Sequence, residues 1–350
     1  MINLCTLFDS NYLDRGIVLY QSLVRHAKDF CLYVLCMDEV AFQTLKNMNL
    51  KDMVVISETQ VLDDDLAKIK AVRKRAEYCW TCTPVIVQYV LDQYEVSHCT
   101  YIDADMMFYD DPEILLKEIV EEGASIGIIG HRFPRNIARR KRERFYGKYC
   151  VEFNTFMNDD RGRNVLADWK KNCFQKCTME YGEGSFGDQK YLEEWEKKFE
   201  GVYECQHLGA GVAPWNISDY RPSELGEEVQ LVYRKKQKCN LIFYHFQSLM
   251  ILKDGQAFVG VYNELGIKSH ELIRFLYWDY LEKLIEARKL LKKSDVVIPL
   301  QELRSGEKSA ISKMSFKDLI IFCYQCVPCI IDGKKNYWDI VELMGEKNAE

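Results

Sequence analysis

The chain has 350 residues, 48% of them hydrophobic and 29% charged, with a net charge of −6. This is globular composition, which excludes a disordered, collagenous or coiled-coil architecture, and the acidic balance leaves no overall electrostatic footprint for nucleic acid. No apolar stretch reaches the roughly 18 to 20 residues of a membrane span.

The length suits one large α/β domain with an appendage, or two domains. The run Met1 to Asp9 has no basic start and is broken by an aspartate. It does not read as a secretory signal, so a cytoplasmic setting with reduced thiols is expected for the 14 cysteines.

In chain order, 2–8 reads as a strand that ends in the turn signal Asp9-Ser10-Asn11. A helix is expected over 16–26, from the spacing of Ile17, Leu19, Tyr20, Leu23 and Val24. The continuous apolar run 30–37 reads as a buried strand, 41–48 as a helix and 53–56 as a strand. A helix over 84–91 would carry Pro84 in its first turn. A strand at 99–102, a helix at 112–120 and a strand at 125–129 follow. Strands alternating with helices imply a mostly parallel sheet flanked by helices, with ligands at the carboxyl ends of the strands.

The second half is less regular. Helices are expected at 165–174 and 189–195, a strand at 241–246, and a long amphipathic helix at 270–291. Further apolar segments lie at 316–331 and 338–344, and 302–313 reads as a polar linker. The expected organisation is an α/β domain over 1–250 and a mainly helical region over 251–350.

The most informative segment is Thr100-Tyr101-Ile102-Asp103-Ala104-Asp105-Met106-Met107-Phe108-Tyr109-Asp110-Asp111-Pro112. An apolar strand delivers two carboxylates two residues apart, and period-two geometry can put both on one side of the chain. Two hard oxygen donors suit a divalent cation, which can neutralise a departing diphosphate. An acidic cap on a strand-to-helix turn would use the same residues.

This run resembles the D-x-D region of nucleotide-sugar glycosyltransferases with the GT-A fold. The segment Arg75 to Pro84 (RAEYCWTCTP) is similar to one in a bacterial group of nucleotide-diphospho-sugar transferases related to glycosyltransferase family 8. Three later pieces agree in order: Gly187-Asp188-Gln189, Gly209 to Asn216 (GAGVAPWN), and Tyr244-His245-Phe246.

The resemblance implies roles. Asp103, Asp105 and His245 would hold the metal, a mixed set that suits Mn²⁺ better than Mg²⁺. The end of the first strand, with Thr6, Phe8, Asp9 and Tyr12, would contact the nucleobase and ribose. Arg75 and the Ala104 backbone would approach the diphosphate. Asp188 and Gln189 would stand beside the sugar, with Asn154, Trp215 and Asn216 as walls of the donor or acceptor pocket. It implies a UDP-sugar donor, a glycan or lipid-linked acceptor, retention of configuration and a place in bacterial surface polysaccharide assembly.

Where related sequences carry Asn and Gly after Gly-Lys-Tyr, this chain has Cys150-Val151-Glu152, so the pocket wall departs from the pattern and Glu152 enters as a weak base candidate. The basic run 131–148 and the apolar run 316–331 offer a peripheral membrane contact. Cys323, Cys326 and Cys329 have cluster-like spacing without a fourth ligand nearby. Two competing readings remain: a catalytically silent binding module, and a nucleotidyltransferase, which would need a Gly-rich loop that 6–15 does not supply. A phosphatase reading fails because Met107 stands where Thr or Val is required.

Overall fold

The computed structural model describes residues 1–135, 139–179, 186–261, 269–301 and 336–340. Its centre is a seven-stranded mixed sheet built from β1 (Ile2–Phe8), β2 (Phe30–Cys36), β3 (Met53–Ser57), β4 (His98–Ile102), β6 (Ile126–Gly130), β7 (Tyr149–Met157) and β8 (Val202–Glu204). The strand order is β3-β2-β1-β4-β7-β6-β8. The first four run parallel, and β7 is antiparallel to both β4 and β6. This is the mostly parallel α/β sheet that the alternating pattern predicts.

Helices cover both faces. The strands are apolar on both sides, so alternate residues feed two cores. Ile2, Leu4 and Phe8 of β1 join the core of α1 (Leu13–His26) and α9 (His270–Lys292). Cys5 and Leu7 join the core of α4 (Arg75–Gln93) and α7 (Asp160–Gln175). The other helices are α2 (Glu39–Met48), α3 (Asp64–Val72), α5 (Glu113–Glu121), the basic α6 (Arg139–Tyr146) and the single turn α8 (Trp195–Lys198). No helix among the described residues is long and apolar enough to cross a membrane. The described cysteines are free thiols.

Several expectations are corrected. Pro84 lies in the interior of α4, not in a first turn. The ring removes one backbone donor, but the segment is held by burial of Tyr78, Cys82, Val85, Ile86 and Val90 in the second core. The expected helix over 189–195 is a 3-10 turn, Lys190–Glu194, that runs into α8. The late strand shrinks to β12 (Phe243–His245), which pairs antiparallel with β5 (Met106–Phe108) and not with the main sheet. The strand β7 was not foreseen. Neither were the antiparallel meander β9 (Tyr220–Leu225), β10 (Val229–Tyr233), β11 (Gln237–Asn240) and the small sheet β13 (Met250–Ile251), β14 (Gln256–Phe258), β15 (Tyr337–Asp339). The segments 302–313 and 316–331 and the three late cysteines lie outside the described residues, as do 341–344.

Candidate active site

The carboxyl edge of the sheet gathers the chemistry. There β2, β1 and β4 end in Asp38, Asp9 and the turn Asp103-Ala104-Asp105, and β6 ends beside His131. Because β7 is antiparallel, its first residues reach the same edge, and the Glu152 carbonyl accepts the Asp103 N–H at 3.3 Å.

Two short strands then bring in the late histidine. Pairing of β5 with β12 sets His245 opposite Met106, next to Asp105. The Phe246 N–H donates to the Asp105 carbonyl (2.9 Å), and the His245 N–H to that of Val212 (3.0 Å). His245 Nε2 lies 3.1 Å from Asp105 Oδ1 and 3.9 Å from Asp103 Oδ2. Its Nδ1 lies 2.7 Å from Glu152 Oε2. Asp103 Oδ1 accepts from the Tyr101 hydroxyl at 3.0 Å.

Charge and burial compete here. Burial, with the Asp105 charge reinforcing it, pushes Asp103 up to about 6 against the pull of His245. Burial alone would keep His245 neutral, but the Asp105 carboxylate outweighs it and carries the imidazole well above its ordinary value. Asp105 moves down: burial opposes its ionisation, and His245 and Arg15 overcome that. Asp188 is buried, and burial with the Asp103 charge raises it to about 7, although the Thr83 hydroxyl bonds it.

The other expected residues divide. Trp215 packs edge-on against His245, with ring centroids 5.4 Å apart, and donates to the His131 carbonyl at 3.0 Å. Asn216 commits its whole amide to the backbone: it bonds His131 O, Gly211 O and the Ala213 N–H. It staples the turn on which Trp215 sits. Gln189 donates to the Tyr146 carbonyl (2.7 Å), and Lys190 donates to those of Glu143 and Arg144, so the basic α6 docks beside Asp188.

Tyr12 is partly exposed, with the Arg15 guanidinium 4.6 Å from its ring centre. Arg75 bonds Asp9 at 3.1 Å and the Met37 carbonyl, away from the Asp103 cluster but on the same edge. Phe8 is buried in the core. Thr6 and Asn154 are fully buried, and their side-chain polar atoms lack partners among the described residues.

Sequence reasoning missed Arg15 and Asp14. Asp14 is fully buried and pairs with Arg15 Nη1 (3.2 Å) and with Arg288 Nε from α9 (2.6 Å). Asp9 caps only the short 3-10 turn Ser10–Tyr12, by accepting from Asn11 N, and α1 itself has no side-chain cap. A buried ion pair looks like any surface charge in a sequence, so no local signal could have found it.

Asp103, Asp105 and His245 each offer a ligand atom, all within 4.8 Å of one another. Two carboxylates and one imidazole at that spacing fit a divalent cation of the manganese or magnesium type.

Fold and site together define the class: an α/β protein with a carboxylate–imidazole cluster at the carboxyl edge of its parallel strands. The chain belongs to the family of the uncharacterized protein YfnF of Bacillus subtilis, with which it is 31% identical over 255 residues, covering 71% of this chain and 82% of that one. YfnD of the same organism is 28% identical over 280 residues, covering 79% and 86%. No protein-family profile matches. Among solved structures, the apo form of mouse xyloside xylosyltransferase 1 is similar, with 14% identity and a TM-score of 0.45, covering 71% of this chain and 98% of that chain. The galactosyltransferase LgtC with donor and acceptor sugar analogs is similar at 14% identity and a TM-score of 0.41, covering 58% and 73%.

Proposed function

We propose that the protein is a metal-dependent glycosyltransferase that moves a sugar from a nucleotide diphosphate, a UDP-sugar first among them, to a hydroxyl of a glycan or lipid-linked acceptor. The observation that carries this reading is the convergence of Asp103, Asp105 and His245 at the sheet edge where β1 also ends. Asp103, Asp105 and His245 would hold Mn²⁺ or Mg²⁺. Such an ion supplies positive charge against the diphosphate as it leaves.

The chain's own residues supply the rest. Thr6, Phe8, Asp9 and Tyr12 frame the end of β1, where Tyr12 offers a ring for the base. Arg75 holds a guanidinium at the same rim, to be shared between Asp9 and a phosphate. The Ala104 backbone between the two aspartates faces the diphosphate. Asp188, raised to about 7, orients sugar hydroxyls, with Gln189 beside it. Trp215 walls the site, Asn216 braces its turn through backbone hydrogen bonds, and the buried Asn154 is assigned to the donor pocket by the resemblance. Retention of configuration is the outcome that the resemblance to family-8-like enzymes implies.

The basic α6 next to Asp188 supports an anionic acceptor, such as a lipid-linked phosphate at the inner face of a membrane in surface polysaccharide assembly. The test is nucleotide release from a panel of UDP-, GDP- and dTDP-sugars, with and without Mn²⁺. Metal-dependent release from one donor, at least about a hundredfold lower in Asp105→Ala, is expected. Metal-independent release, or full activity in the variant, would sink the reading.

A further inference from the structure

One member of the cluster has no part in the reading above. Glu152 is completely buried on β7, and its Oε2 lies 2.7 Å from His245 Nδ1. Its backbone carbonyl also takes the Asp103 N–H, so one residue touches two of the three ligand positions. Its placement has a local cause. The β6–β7 ladder pairs Gly127 with Thr155 and then Ile129 with Cys150, a register break that leaves 151–154 out of the β6 ladder, with Phe153 and Asn154 still paired to β4 and Glu152 just beyond that pairing. Such irregularities re-aim side chains beside active sites.

A neutral imidazole can ligate through one nitrogen only, and the proton on the other decides which. Histidine in water favours the proton on Nε2, which here would point a hydrogen at the space between Asp103 and Asp105. A buried carboxylate at Nδ1 reverses that preference, fixes the ring and strengthens Nε2 as a donor. We propose that Glu152 is the positioning residue of this site, holding the Nδ1–H of His245 so that Nε2 presents its lone pair to the cation.

The surroundings hold Glu152 in place. Gly211, at φ +67°, leaves room that a side chain would fill: a Cβ there would stand 3.1 Å from Glu152 Oε1 and 3.0 Å from Arg132 Nη2. The Arg132 guanidinium and the second Glu152 oxygen therefore flank the same glycine, and neither Nη2 nor Oε1 has a hydrogen-bond partner among the described residues.

This inference rests on the metal reading of Asp103, Asp105 and His245, and the experiment separates the two. The full chain is titrated with Mn²⁺ alone, free Mn²⁺ is read by electron paramagnetic resonance, and nitrogen coordination is read from the ¹⁴N modulation of the bound ion. Wild type is compared with Glu152→Ala, Glu152→Gln, His245→Ala and Asp105→Ala. Loss of Glu152 should weaken Mn²⁺ about 10- to 100-fold, with Gln at the lower end of that range. The ¹⁴N modulation should be clear in wild type, absent in His245→Ala and diminished in both Glu152 variants. Glu152→Gln keeps the shape and carries the test if the alanine variant does not fold.

Wild-type affinity and unchanged modulation in the Glu152 variants, with Asp105→Ala still impaired, would overturn the inference alone. Unchanged affinity in Asp105→Ala and His245→Ala would overturn the metal reading and this inference with it. A thiolate charge-transfer band on Co²⁺ loading would put the ion on the other side of the ring, where Cys150, Glu152 and His245 also converge, and would equally overturn it.

Discussion

Asp14 shows how a single carboxylate can matter without touching substrate. It is buried between Arg15 and Arg288, and Arg15 in turn donates to the Leu249 carbonyl at 2.9 Å. Burial would discharge Arg15, but the Asp14 charge holds it protonated. Removing the carboxylate strands the buried Arg15 and the partly buried Arg288, which costs about 3 to 5 kcal/mol. Asp14→Ala should lose that much in urea unfolding, and a change below about 0.5 kcal/mol would show the pair to be solvated. The contrast with Asp103 and Asp105 explains what was legible. Those two announce themselves by period-two spacing at a strand end. Glu152 and His245 are 93 positions apart, so their contact is a property of the fold and of no local pattern.

At the scale of elements, the turn 209–216 joins β8 to the site. Gly209 lies so close to the β11–β12 junction that a Cβ would stand 1.7 Å from the Asn240 carbonyl oxygen, and its own carbonyl accepts the Ile242 N–H at 2.9 Å. A backbone atom cannot move aside as a side-chain tip can. Gly209→Ala should therefore destabilise by about 1 to 3 kcal/mol and loosen His245, whose N–H hangs from Val212 on the same turn. Gly226→Ala is the control: nothing lies within 4 Å of a Cβ there, so its thermal midpoint should match wild type. Equal midpoints for the two variants would refute the packing account. The alternating first half was readable because each strand is a continuous apolar run. The strand β7 was not, because Glu152 and Asn154 interrupt its apolar pattern. α4 was read short because a proline more often marks a first turn than an interior, and tertiary burial overrode that preference.

Across the whole molecule, buried histidines set the acid limit of stability. His98 on β4 accepts the Asn3 N–H at Nε2 (3.2 Å). Burial, helped by the N-terminal ammonium, pushes it down to about 4 from an ordinary 6.5. Between those values the unfolded chain takes up the proton and the folded chain does not. The contribution is therefore complete above pH 6.5 and lost as pH falls toward 4, on the order of 3 kcal/mol in all. Stability measured by denaturant at pH 7 and pH 4.5 should fall less in His98→Gln than in wild type. An identical fall would assign the acid sensitivity elsewhere.

The ion pair between Arg288 and Asp14 spans 274 positions, and β5 waits for β12 across about half as many. A ribosome adding about 5 to 20 residues per second makes the two aspartates of the turn about 7 to 28 seconds before their histidine exists. The second counter-charge for Asp14, Arg288, arrives later still, on α9. Closing loops of that size is the slow part of folding. The growing chain therefore carries an acidic edge whose histidine and second arginine partner are supplied only late, so the site described above cannot close before α9 has been made.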